Sequence, residues 1–202
     1  MRELQGTCCI ELDHAPSPKK EIACTRSFGH FTTELSDLTQ AVTEFASRTA
    51  QKLRQQGSQT SQVLVFIRTS PFRPEAQYSR SITVPLRRPS ADTAFVVAAA
   101  LAGLQAIYRP GFKYAKAGVM LLDLQSENVQ QGELSLQLED ERIVDRNRLM
   151  STLDELNNRY GRGTVLMASA GLSGNRRTWS MKQERRTPGY TTCWDDLVVA
   201  RA

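Results

Sequence analysis

The amino-acid sequence predicts an α+β chain whose elements run in the order β-α-β-β-α-β, followed by a smaller, partly helical extension. Two observations carry this. Two long stretches, 35–55 and 92–108, repeat apolar residues at three- and four-residue steps, the spacing of one face of a helix. Four stretches, near 20–28, 62–69, 80–87 and 113–124, either alternate apolar and polar residues or are almost continuously apolar, as strands do. This split βαβ order is the ferredoxin-like arrangement: a four-stranded antiparallel sheet with both helices on one face. The other face is left open as a platform for a ligand.

Each element has its own warrant. Residues 1–18 read as an N-terminal arm, because Pro16 and Pro18 favour extended backbone. In the first strand, Ile22 and Cys24 share one face, and Ala23 and Thr25 the other. The first helix carries the stripe Leu35, Leu38, Val42, Phe45, Thr49 and Leu53 and stops at Gln56-Gly57-Ser58. The run Val63-Leu64-Val65-Phe66-Ile67 suits a central strand buried on both faces or nearly so. In the third strand, Ile82, Val84 and Leu86 face inward while Ser81, Thr83 and Arg87 face outward. Pro85 cannot donate to a ladder, which points to an edge or a bulge.

Pro89-Ser90-Ala91-Asp92 opens the second helix with N-capping residues, and Arg109-Pro110-Gly111 stops it. Its inward stripe is Val97, Leu101, Leu104 and Tyr108. The fourth strand, Lys113–Leu124, puts Lys116, Gly118 and Met120 on one face. The domain is therefore 19–124. Residues 125–144 form an acidic linker holding Leu134-Ser135-Leu136, and 145–202 form a basic extension. In the extension, 146–160 reads as a helix with Leu149, Leu153 and Leu156 along one side, and 164–167 as a short strand. Trp179 and Trp194 lie among arginines, and either pin the tail to a core or stack on bases.

Composition narrows the function. With 40% hydrophobic and 23% charged residues, the 202-residue chain is expected to fold. Its longest apolar run, 94–104, is far short of the ~20 residues of a membrane span. No apolar stretch follows Met1-Arg2-Glu3-Leu4-Gln5, so no secretory signal is expected. Cys8, Cys9, Cys24 and Cys193 show no CxxC spacing and, with His14 and His30, match no zinc pattern. Reduced thiols and a cytoplasmic location are expected. The net charge of +5 suits a polyanion. The excess is concentrated late: Arg159, Arg162, Arg176, Arg177, Lys182, Arg185 and Arg186 stand against Glu184 alone between 159 and 190.

No catalytic constellation is present: the chain has no Walker A, no GxGxxG and no HExxH. Two-metal nucleotidyl transfer needs carboxylates that hold ions ~3.5–4 Å apart, and Asp123 is the one acid near a strand end. No catalytic residue, metal or cofactor is therefore assigned. Three stretches suit phosphate contact. Arg26-Ser27-Phe28-Gly29 offers a guanidinium, a hydroxyl and a glycine that lets a phosphate approach the backbone. Arg68-Thr69-Ser70 ends the second strand similarly, and Lys113 and Lys116, with Gly118, line the fourth. Each alone reads more readily as a solvated side chain, whereas on neighbouring strands they would form one stripe.

These stretches also carry a resemblance. Residues 20–29 and the run Pro110-Gly111-Phe112-Lys113-Tyr114-Ala115-Lys116-Ala117-Gly118-Val119-Met120-Leu121 resemble the little-finger domain of UmuC-type Y-family translesion DNA polymerases, the family of the DNA polymerase V catalytic subunit. Glu3-Leu4-Gln5-Gly6 is similar to the thumb-to-little-finger junction. Met150–Tyr160, Gly161-Arg162-Gly163-Thr164 and Pro188-Gly189-Tyr190-Thr191-Thr192 are similar to the extension that follows it. The resemblance implies error-prone synthesis in the SOS response, with the open sheet holding primer–template backbone in the major groove. It places Arg26 and Ser27 on template backbone and Lys113 and Lys116 near the duplex. An alternative reading makes 125–202 an interaction module that recruits a sliding clamp, a UmuD-like subunit or a RecA filament, with DNA contact incidental.

Two departures follow. The palm, whose carboxylates would hold Mg2+, is missing, so the chain corresponds to the last part of such a polymerase and is expected not to polymerise DNA alone. The family's clamp-binding peptide, commonly Gln-Leu-x-Leu-Phe, is reduced to Glu133-Leu134-Ser135-Leu136-Gln137. It keeps Leu134 and Leu136 but loses the glutamine and the aromatic.

Overall fold

The structure is a computed structural model, and it describes residues 3–6, 9, 17–128, 146–171, 177, 179–182 and 187–197. Its elements are β1 (Ile22–Thr32), α1 (Leu35–Gln55), β2 (Ser58–Thr69), β3 (Ser79–Ser90), α2 (Thr93–Ile107), β4 (Tyr114–Ser126) and α3 (Asn147–Tyr160). Short 3-10 turns occupy Glu3–Gln5, Ala168–Ala170 and Trp194–Asp196. The four strands form one antiparallel sheet in the order β1-β4-β2-β3. The expected βαββαβ connectivity and layering hold. In space, β4 and β2 occupy the centre while β1 and β3 form the edges, which exchanges centre and edge relative to the ferredoxin parent. Pro85 accordingly lies on an edge strand.

The periodicities become a two-layer core. Leu38, Val42, Phe45, Thr49 and Leu53 of α1 are fully buried against Val63, Val65 and Ile67 of β2 and Ala117, Val119 and Leu121 of β4. The second helix is capped as its sequence predicts, with the Asp92 carboxylate accepting from the Ala94 amide at 2.7 Å. It approaches β3 closely at Gly103, where a Cβ would lie 3.1 Å from Val84 and 3.2 Å from Ile82. The edge strand β1 runs past Phe28 because its register shifts after Ser27, and Thr32 pairs again with Tyr114.

The extension differs from its sequence reading in two places. Two of its three leucines do not dock α3, for Leu149 is 53% exposed and Leu156 37%. The docking face is Met150 and Asp154 with the half-buried Leu153 between them. Met150 is buried, and its sulfur accepts from the Thr93 amide at 3.4 Å. The Asp154 carboxylate takes a forked pair of hydrogen bonds from Arg54, both 2.7 Å, and Arg54 also donates to the Ala91 carbonyl and the Thr93 hydroxyl. Residues 164–167 form no strand. The Asn157 side-chain amide meets both backbone groups of Val165, at 3.0 and 3.1 Å, in place of a strand partner.

The two tryptophans part company. Trp179 is 1% exposed, joins the core and meets Phe45 edge-on with ring centres 5.8 Å apart. Arg177 lies over its indole and pairs with Glu44 of α1, which also pairs with Arg48. Trp194 is 87% exposed.

At the other end of the core, the Tyr114 ring is buried. Its hydroxyl donates to the Arg109 carbonyl at 2.7 Å and accepts from the Arg109 amide at 3.0 Å, closing the α2–β4 turn. Burial pushes this phenol above the ordinary value of 10.0. The fold thus favours the protonated form, and that contribution is complete below pH 10 and lost as pH rises through the folded value. Urea unfolding from pH 8 to 11.5 should show stability falling more steeply above pH 10 in the parent than in Tyr114→Phe. Equal slopes would contradict this account.

Candidate nucleic-acid interface

Strand alternation sorts the β4 side chains. Ala117, Val119 and Leu121 face the helices, and Lys116, Gly118 and Met120 face the open side. The register then sets their neighbours. Lys116 lies opposite Ser27 of β1 and opposite Arg68 of β2, and Arg68 lies opposite Ser79 of β3. Ser27, Lys116, Arg68 and Ser79 therefore form one row across all four strands on the open face. Like charges directly opposite each other weaken a sheet pair. Lys116 and Arg68 stand in that relation, and among the described residues neither has an acidic partner. An anion between them would relieve the repulsion.

The adjoining row is Thr25, Gly118, Phe66 and Ser81. A Cβ at Gly118 would fall 2.5 Å from the Phe66 ring and 2.6 Å from the Thr25 methyl. The glycine is required so that Phe66 can lie across β4, and Gly118 is buried beneath that ring.

The predicted site residues consequently divide. Ser27, Arg68 and Lys116 come together in the row. Ser70 and Lys113 sit at the end of the sheet, in a cleft of about 220 Å³, where Lys113 pairs with Glu75 at 2.8 Å. The other four do not join the row. Arg26 pairs with Ala117, so its side chain belongs to the helix-covered side and is half-buried at the sheet edge. Thr69 is buried, with its hydroxyl bonded to Gln77 and Tyr78 in the β2–β3 connection. Gly118 lies under Phe66. The Gly29 amide donates to the Ser180 carbonyl at 2.9 Å, and a Cβ there would lie 2.5 Å from the Lys182 amide nitrogen. What approaches Gly29 is the chain's own extension. Ser79 joins the row without having been singled out, although the outward series Ser79, Ser81, Thr83 follows from the same alternation that placed Ile82 inside. Leu134 and Leu136 lie outside the described residues.

Among the described residues, no group of three or more His, Cys, Asp or Glu side chains could hold a metal ion. No helix among them is long and apolar enough to cross a membrane.

Residues 19–134 match the impB/mucB/samB family C-terminal domain, and 147–200 match a domain of unknown function, DUF4113. The chain belongs to the impB/mucB/samB family. It is 40% identical over 202 residues to protein ImpB of Salmonella typhimurium and 39% over 199 residues to protein UmuC of the same species. It is 36% identical over 203 residues to protein MucB of Escherichia coli. These matches take in 98 to 100% of this chain but 46% of each relative, so the chain spans about half the length of the curated relatives it matches.

The contact at Gly29 makes a test possible. Gly29→Ala should push the segment around Trp179 off β1, at a cost of about 1–3 kcal/mol, the usual range for overpacking. In a Trp194→Phe background, the Trp179 emission should shift to the red as the indole meets water. Unchanged emission and stability would contradict the observed packing.

Proposed function

We propose that this chain is the non-catalytic, DNA-backbone-gripping region of an error-prone translesion DNA polymerase, acting on primer–template DNA without regard to sequence. The observation that carries the reading is the row Ser27–Lys116–Arg68–Ser79. Two cations without acidic partners stand side by side between two exposed hydroxyls. At the spacing of paired strands, the row is ~14 Å wide, enough for more than one phosphate of a DNA strand. Guanidinium, ammonium and hydroxyl groups recognise phosphate oxygens and carry no base information, so the grip is blind to sequence. Ser70 and Lys113 extend the polar surface at the end of the sheet.

Family membership and the resemblance to the little-finger domain support the same reading. The metal-dependent chemistry of such a polymerase, with its Mg2+, belongs to a palm outside these residues. The setting is the cytoplasm during the SOS response, in keeping with Cys24 and Cys193 as unpaired thiols. A second reading, recruitment of a protein partner such as a sliding clamp, a UmuD-like subunit or RecA through residues 125–202, gains one observation. Leu149, Leu156 and Tyr160 leave an exposed apolar side on α3. That surface is separate from the row, so variants of the row test the first reading alone.

The test is fluorescence anisotropy with labelled primer–template between ~20 and ~200 mM salt, the range in which phosphate contacts dominate. Arg68→Ala and Lys116→Ala should each weaken binding to all sequences alike and lower the salt slope by about one. Parent-like affinity and slope in both variants would overturn the proposal.

A further inference from the structure

We propose that Phe66 is a stacking platform for an unpaired nucleobase, so that the open face of the sheet holds single-stranded DNA as well as duplex. The inference rests on the DNA-backbone reading above and adds to it a contact with the bases.

Strand register places the ring. Phe66 stands between Gly118 of β4 and Ser81 of β3, one row from Lys116 and Arg68. Its side chain leans over Gly118, where a Cβ would fall 2.5 and 2.7 Å from two of the ring carbons. One side of the ring is thus held against β4. The other side faces away from the sheet, because the helices and the core lie on the opposite face. The next row, Ala23, Met120, Leu64 and Thr83, continues the apolar surface. Leu64, Phe66 and Met120 are each half-buried and stand apart from the helix-side core.

The neighbours of this surface say what it fits. Apolar area alone would suit many partners. Arg68 lies two residues along β2 from Phe66, and Lys116 two residues along β4 from Gly118, each a step of ~7 Å. That is about the distance from a base to a neighbouring phosphate of the same strand. Two adjacent cations without acidic partners select a polyanion, and a polyanion that also offers flat apolar faces is a nucleic-acid strand. In a duplex those faces are stacked on one another and only base edges reach the grooves. An unpaired strand presents them. Aromatic rings on an open sheet face, beside cations that follow the backbone, hold single strands in this way. Stacking tolerates any sequence, because every base has a π-face, so it agrees with a grip blind to sequence.

The experiment uses the full 202-residue chain and three labelled probes of one length: a mixed-sequence single strand, the same strand made of abasic sites, and the fully paired duplex. Anisotropy is read across a salt series. The parent should bind the base-bearing single strand about fivefold or more tighter than the abasic one. Phe66→Leu, which keeps an apolar side chain beside Gly118, should lose about fivefold or more on the base-bearing single strand and nothing on the other two probes. Its salt slope should stay that of the parent, because stacking releases no counterions, whereas Arg68→Ala lowers the slope on all three. Equal affinity of the parent for base-bearing and abasic strands would overturn the proposal, whether or not the variant folds. Parent-like single-strand binding by Phe66→Leu, with Arg68→Ala weakened, would also overturn it, leave the DNA-backbone reading standing and make the apolar rows a contact for a protein. An equal loss by Phe66→Leu on all three probes would overturn it too, because the ring would then only support the row. Parent-like binding by both Phe66→Leu and Arg68→Ala would overturn the DNA-backbone reading itself.

Discussion

The pairing of β4 on both of its sides is the constraint from which the rest follows. One register joins it to β1 and another to β2, and together they set which side chains meet the helices and which meet solvent. A slip of one residue would turn Val119 and Leu121 outward and bring Lys116 and Met120 into the core. Burial of the apolar set resists that slip, and so does the close fit of Phe66 over Gly118 with the Thr25 methyl beside it. The same registers that make the core place Lys116 between Ser27 and Arg68. Core and interface are two faces of one pairing.

The division of labour between the faces then becomes intelligible. The covered side is apolar, and the open side keeps two like charges adjacent on rigid central strands, a placement that costs stability unless an anion is present. The extension attaches to the helix side and the β1 edge, leaving the row uncovered. It does so through charge pairs, Arg54 with Asp154, Arg146 with Asp92 and Arg177 with Glu44, and through Trp179 buried in the core. Partly buried pairs of this kind add little net stability over apolar packing, but losing one partner leaves a costly unpaired charge. The Arg54–Asp154 pair fixes the docked side of α3 while Leu149 and Leu156 remain exposed.

Much of the fold could be read in the sequence, and its limits have physical causes. The helices and strands announced themselves because each buries one face, and period 3.6 or 2 is the signature of that burial. The strand ends were underestimated where polar residues continue the ladder, as Ser58-Gln59-Thr60 do against Ser126, Gln125 and Leu124. The α3 docking face is only partly legible, because hydrophobic pattern reports area: Leu153 of the predicted stripe lies on the docked side, but Met150 and Asp154 hold the helix. In the candidate row, residue chemistry singles out Ser27, Arg68 and Lys116, and register supplies their alignment. Arg26 and Ser27 share one tetrapeptide, but neighbours on a strand point to opposite faces, and alternation from Ile22 and Cys24 puts Arg26 on the helix-covered side. Gly29 could not be read locally at all, because the group that requires a glycine there, Ser180–Lys182, lies some 150 residues further along the chain.

The most direct test of the central claim is an NMR titration of the isotopically labelled chain with a primer–template duplex at low salt. The account predicts that amide and side-chain signals of Ser27, Lys116, Arg68 and Ser79 shift first and together, while those of α1 and α2 stay in place. Shifts confined to the helix side, with the row unmoved, would contradict it.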